Sequence, residues 1–138
     1  MGYELVAYEE RMLNTLTVDL GVLNRIIFTE SVDALALSKL GPYMESLPSL
    51  PIRANVQAIQ IMDTENIRSR VWEKGNGETM ASGTGAAAAL AAAYHMGMVG
   101  TTVKVHYPGG AVTVEMDAEG ILRVTGPATE VFSGEFIL

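Results

Sequence analysis

Residues 86 to 93 are seven alanines and one leucine, with no charge among them. Alanine is the strongest helix former, and Gly97 supplies a stop, so the segment reads as a helix from Thr84 to about Met96. A helix on a protein surface keeps one polar side toward water. This one has none, so it belongs inside, where its small side chains let surrounding strands approach closely. The chain has 138 residues, enough to bury a core without staples and about the size of one domain. Whatever else it forms has to cover this helix.

The remaining segments supply strands for that purpose. Tyr3–Tyr8, Leu16–Leu20 and Val22–Thr29 carry alternating or β-branched residues. Asn55–Met62 and Ile67–Glu73 flank Asp63-Thr64-Glu65-Asn66, a hairpin turn. Arg68 and Arg70 fall on one face of the second of these. Thr101–Tyr107, Ala111–Met116, Ile121–Thr125 and Val131–Phe136 read as a β-meander joined by glycine-containing turns. Ser31 reads as the N-cap of a helical segment with Asp33 in its first turn. Gly41-Pro42 is expected to interrupt that segment, Tyr43–Leu47 to add a turn, and Pro48 and Pro51 to end it. Trp72 and the methionines Met96, Met98 and Met116 read as core filler. The fold expected is α+β, a single domain over 1–138. Its curved, mostly antiparallel sheet wraps a central alanine-rich helix, and a second helical segment lies outside.

Composition narrows the function. The net charge of −7 argues against nucleic acid, whose phosphates require Lys and Arg. No run approaches the roughly 18 apolar residues of a membrane helix, and the N-terminus resembles no signal peptide, so a cytoplasmic location is expected. There are no cysteines, which removes disulfides, thiol catalysis and Cys-ligated zinc. His95 and His106 are the only histidines and have no ligand spacing, so no metal is expected.

The turn into the alanine helix, Gly77-Glu78-Thr79-Met80-Ala81-Ser82-Gly83-Thr84-Gly85, is where chemistry would sit. A helix start gathers free N–H groups and the positive end of the helix dipole, so it can hold an anion. It is not a Walker loop, because no Lys-Ser/Thr pair follows the glycines. Ser82 reads either as a general acid/base or as a helix N-cap, and the cap weighs more because no histidine is near it in sequence.

Six segments in order resemble the second half of the diaminopimelate epimerase family. They are Asn55-Val56-Gln57, Val71-Trp72-Glu73-Lys74-Gly75, Gly77-Glu78-Thr79, Ala81-Ser82-Gly83-Thr84-Gly85-Ala86, Pro108-Gly109-Gly110, and Thr125-Gly126-Pro127-Ala128 with Val131-Phe132-Ser133-Gly134-Glu135. The resemblance runs from Val18 onward. It implies a cofactor-independent amino-acid epimerase of lysine and cell-wall biosynthesis. Family members are about twice this long, with two similar domains facing across a cleft and a catalytic cysteine at the start of each central helix.

Carried over by position, the resemblance makes Asn55 a substrate-binding asparagine and Glu73 the partner of the substrate's α-amino group. Lys74 stands where arginine is usual, which would turn a bidentate contact into a point-charge contact. Gly83 and Thr84 match the anion-binding turn. Ser82 replaces the catalytic cysteine, and Ala87 a second, non-catalytic one. Gly21-Val22-Leu23-Asn24 aligns with a Gly-Asn-Pro-His signature and lacks its asparagine and histidine. Three functions stay open. One is a single epimerase domain, inactive or nearly so alone. Another is a single-domain homodimer of engineered or ancestral type, built on an isologous interface. The last is a non-catalytic module for a small amino acid, another carboxylate or a protein partner. The related phenazine-biosynthesis isomerases share the implied fold, with weaker motif matches.

Overall fold

A computed structural model describes residues 2–48 and 54–138. They form one nine-stranded mixed sheet and two α-helices, an α+β fold. In chain order these are β1 (Gly2–Tyr8), β2 (Arg11–Asp19), β3 (Leu23–Phe28), α1 (Leu37–Glu45), β4 (Asn55–Asp63), β5 (Asn66–Glu73), β6 (Gly77–Thr79), α2 (Gly83–His95), β7 (Thr102–Tyr107), β8 (Gly110–Met116) and β9 (Leu122–Thr125). The sheet runs β1-β2-β3-β4-β5-β7-β8-β9, with β6 added to β5. Only β3–β4 and β5–β7 pair in parallel. These two crossovers carry α1 and α2 respectively.

α2 is the helix expected from the alanine run. Every residue from Gly85 to Ala93 is buried. It packs against β2, β3, β4, β7, β8 and β9. Leu16, Val18, Ile26, Ile59, Ile67, Val71, Val103, Val105 and Val114 surround it in one core. Its end is built as the sequence predicts. Gly97 has φ +73°, its N–H donates to Tyr94 and the Met98 N–H donates to Ala93, which satisfies the last carbonyls. A second core on the other face of the sheet joins Val6, Leu13, Ile27, Val56 and Ala58 to Leu40 and Met44 of α1.

Several expectations are corrected. β2 starts at Arg11 rather than Leu16, because Glu9 and Glu10 form a two-residue hairpin turn with φ +46° and +62°. Such turns favour Asn and Gly, and Glu-Glu gives no such signal. Ser31 precedes only a short 3-10 turn, Val32–Ala34, and its side chain makes no capping bond. α1 runs straight through Gly41-Pro42. Gly41 lies against Trp72, where an added Cβ would come within 2.4 Å of the ring, so packing at this site outweighs the N–H that proline lacks. Glu45 is the last helical residue, and Pro51 lies outside the described residues. Met96 and Met98 are each 38% exposed beyond the end of α2 and are not core, whereas Met116 and Trp72 pack at the core margins. Val131–Phe136 is not a strand; nothing after Thr125 pairs with the sheet.

Candidate active site

The site is the first turn of α2 and the strand ends around it. Ser82 has extended backbone (φ −151°, ψ 121°) and its hydroxyl accepts the Gly85 N–H at 2.9 Å, so it is the N-cap. The Ala86 N–H goes to the Ser82 carbonyl, also at 2.9 Å. That bond is the first regular one of the helix, so of the four N–H groups that a helix start leaves over, only that of Gly85 is used by the cap. Those of Gly83 and Thr84 have no partner within the helix, and both residues are exposed. The Thr84 hydroxyl lies 3.5 Å from that of Ser82. An incoming carboxylate would therefore meet two amides, a hydroxyl and the positive end of a 13-residue helix.

A buried polar network holds this turn from below. Gln57 Nε2 donates to the Gly85 carbonyl at 2.7 Å. Gln57 Oε1 accepts from the Ser69 hydroxyl at 2.6 Å and from the Tyr107 hydroxyl. Gly85 is thus gripped at its N–H by Ser82 and at its C=O by Gln57. It also has to be glycine, since a Cβ would stand 2.9 Å from Ser82 Oγ and 3.2 Å from the Tyr107 hydroxyl. Burial pushes the Tyr107 pKa well above the usual tyrosine range, and the Glu73 charge adds to the shift. Tyr107 is therefore a neutral donor at any ordinary pH.

Glu73 and Asn55 sit at the ends of the strands that carry this network. Glu73 Oε1 accepts from the Thr79 hydroxyl at 2.9 Å. Asn55 Oδ1 accepts the Lys74 backbone N–H at 2.8 Å, which ties β4 to the turn after β5. Asn55, Gln57 and Ile59 alternate along β4 toward α2. The Lys74 side chain is exposed. Arg70, expected on one face with Arg68, grips both Glu78 oxygens at 2.8 and 3.0 Å, and Arg68 pairs with Asp33 at 3.0 Å. Asn24, aligned with the histidine of the missing signature, is fully buried; its Nδ2 donates to Val22, while its Oδ1 has no partner among the described residues. The Gly109 N–H donates to the Met80 carbonyl at 2.9 Å, and a Cβ at Gly109 would stand 2.8 Å from Met80 Cβ. This close approach fixes the loop ahead of Ser82.

The structure therefore gathers Ser82, Gly83 and Thr84 at one helix start and ties Asn55 to the Lys74 backbone. Sequence reasoning missed Gln57, Ser69, Thr79 and Tyr107 as supports. The available signal was a polar residue at 57 and at 69, both positions where alternation demands an apolar one. Neither histidine can serve Ser82 as a base. His95 lies at the other end of α2, about 18 Å along its axis at 1.5 Å per residue, and His106 bonds Asn66 at 3.0 Å. Among the described residues no group of His, Cys, Asp and Glu could hold a metal ion, and no helix is long and apolar enough to cross a membrane.

Comparison with known proteins gives the same direction. The family model for diaminopimelate epimerase matches residues 16–131. A diaminopimelate epimerase from Pelotomaculum thermopropionicum is 43% identical over 119 residues, covering 86% of this chain and 42% of that protein. One from Rhizorhabdus wittichii is 41% identical over 130 residues, covering 94% and 47%. The chain thus spans less than half the length of these curated relatives. Among solved structures, a Bacillus anthracis phenazine biosynthesis protein of the PhzF family superposes with a TM-score of 0.52 at 13% identity, over 81% of this chain and 37% of that one. That likeness concerns the fold alone. Together with the helix-start geometry, the sequence matches lead to one conclusion: the chain belongs to the diaminopimelate epimerase family.

Proposed function

We propose that this chain is one domain of a cofactor-independent amino-acid epimerase of the kind used in lysine and cell-wall biosynthesis, and that alone it turns over negligibly. The α2 start is half of a site. The Gly83 and Thr84 amides would hold the substrate's α-carboxylate, Glu73 its α-amino group, and Asn55 a further polar group. Lys74 would add a point charge. The opposing acid/base would come from a second domain or a second copy across the cleft, and the site lies in the cytoplasm.

The observation that carries the low activity is the bond at Ser82. Family chemistry needs a thiolate to lift the α-proton, and a helix start lowers a thiol's pKa below about 8.5. A serine hydroxyl is far less acidic and needs a dedicated base. Here the hydroxyl oxygen is already committed to the Gly85 N–H and no histidine is within reach. The same commitment favours a second reading, in which the loop binds a carboxylate without turning it over, whether in a natural module or in an engineered or ancestral-type homodimeric scaffold.

The test uses Ser82→Cys. Alkylation rate against pH is expected to give a thiol pKa clearly below 8.5, because the N–H groups and helix dipole that suit an anion remain in place. An ordinary thiol pKa would remove the anion-stabilising role assigned to this turn.

A further inference from the structure

The short strand β6 reaches Glu73 from one face of the sheet and is itself held from the other. It pairs with β5 alone, through Val71–Thr79, Trp72–Glu78 and Glu73–Gly77. Three pairs specify register weakly, and the turn that feeds them carries Gly75 and Gly77 at φ +81° and +82°, which glycine adopts without strain. The side chains of β6 supply what the backbone pairing leaves out.

Thr79 stands opposite Val71, on the face of the α2 core, and its hydroxyl donates to Glu73 Oε1 at 2.9 Å. A carboxylate only accepts, so the direction of this bond is settled. The second oxygen of Glu73 accepts no hydrogen bond among the described residues. Glu78 stands opposite Trp72, on the face of the α1 core, where Arg70 grips both its oxygens. The same guanidinium donates to the Val32 and Leu35 carbonyls, each at 2.9 Å, and the Arg70 side chain is only 20% exposed. Exposed ion pairs contribute little, but a fork whose cation is also anchored on two carbonyls is held in one geometry. A slip of one residue in β6 would break this fork and turn Thr79 away from Glu73.

We propose that Thr79 and Arg70 are positioning residues for the Glu73 carboxylate. Thr79 holds one oxygen, Arg70 fixes the strand that carries Thr79, and the other oxygen is left for a ligand's α-ammonium group. This rests on the reading of Glu73 given above and adds a specificity to it. The helix start accepts any carboxylate, and the bracketed Glu73 selects one that bears an α-amino group. A glutamate free to rotate would have to be ordered by the ligand, which weakens binding, and here the fold has already ordered it.

The test compares α-aminopimelate with pimelate, which lacks the α-amino group. Each is titrated into the isotope-labelled chain, with the Gly83 and Thr84 amide signals as reporters. The parent should bind α-aminopimelate about tenfold more tightly, the expectation for one charge-assisted bond. Thr79→Val keeps the shape and loses the donor, and Arg70→Lys keeps the charge and loses the fork. Each should cut the preference to about threefold or less while pimelate affinity stays the same. Glu78→Gln weakens the same fork from its other end and stands in if Arg70→Lys does not fold. Affinities for the two ligands that fall together would mean that β6 only supports the fold, and would overturn the proposal. Glu73→Gln separates this proposal from the reading beneath it. A preference that Glu73→Gln abolishes but that survives in Thr79→Val or in the fork variant overturns the positioning role and leaves Glu73 as the ammonium acceptor. A parent that binds neither ligand, or does not tell them apart, removes both.

Discussion

The α2 start and the apolar walls of the groove it opens into, Leu20, Leu122 and Val124 beside Gly83 and Thr84, are finished in opposite ways. At the helix start, polar groups taken into the core are matched: Ser82 serves the Gly85 N–H, Gln57 serves its C=O, and Ser69 and Tyr107 serve Gln57. In the groove, Leu20 and Val124 stand 42% exposed. A polar network that is fully bonded stands without a partner. Apolar surface left in water stabilises nothing until something covers it. One domain therefore suffices to build the turn itself, while the apolar surface beside it stays open.

The comparison breaks most readily at Gln57. Gln57→Leu removes three hydrogen bonds, leaves the Gly85 carbonyl with its helical bond alone and takes away the acceptor of the buried Tyr107 hydroxyl. A stranded buried group costs about 1–3 kcal/mol, so a loss of about 1–3 kcal/mol in denaturant unfolding is expected. A loss within experimental error would show that the network is slack.

Alkaline pH tests the same network through Tyr107. Its folded pKa is raised, by burial first, so above pH 10 the unfolded chain releases a proton that the folded chain keeps. The stability this tyrosine contributes is fully present below about pH 10 and is lost as pH rises beyond it, at up to about 1.4 kcal/mol per pH unit. Tyr107→Phe should flatten the slope of stability against pH above 10 relative to the parent chain. Parallel slopes would place Tyr107 in solvent.

Ser82→Ala is the smallest perturbation. It removes an N-cap acceptor and should cost about 1 kcal/mol, with the fold intact. A stabilising effect would mean that Ser82 is held in place for chemistry at the expense of the fold.

Much of this was legible in the sequence, for reasons that differ from element to element. The alanine run had one outcome, a buried helix, and Gly97 stopped it as glycine does. The hairpin at Asp63–Asn66 was equally plain, because Asp63 turns the chain with its own side chain, accepting from Glu65 and Asn66. Elsewhere local signals lost to long-range packing. Gly41-Pro42 reads as a break until Trp72 is placed against it. Val131–Phe136 has β-branched and aromatic residues, but a strand also needs a neighbour to pair with, and none lies beside it among the described residues. In the site, Ser82, Gly83 and Thr84 were identified by the glycine-rich turn, and Glu73 and Asn55 by resemblance. Gln57, Ser69 and Tyr107 were passed over because they are spread over 50 residues of chain and meet only in the fold.

If the loop at Ser82 persists as architecture rather than as chemistry, the unaltered chain incubated with diaminopimelate in D₂O will leave the α-proton in place, as followed by NMR. No exchange above the enzyme-free rate is expected, even at high protein concentration. Exchange at a rate proportional to protein, abolished by Ser82→Ala, would contradict it.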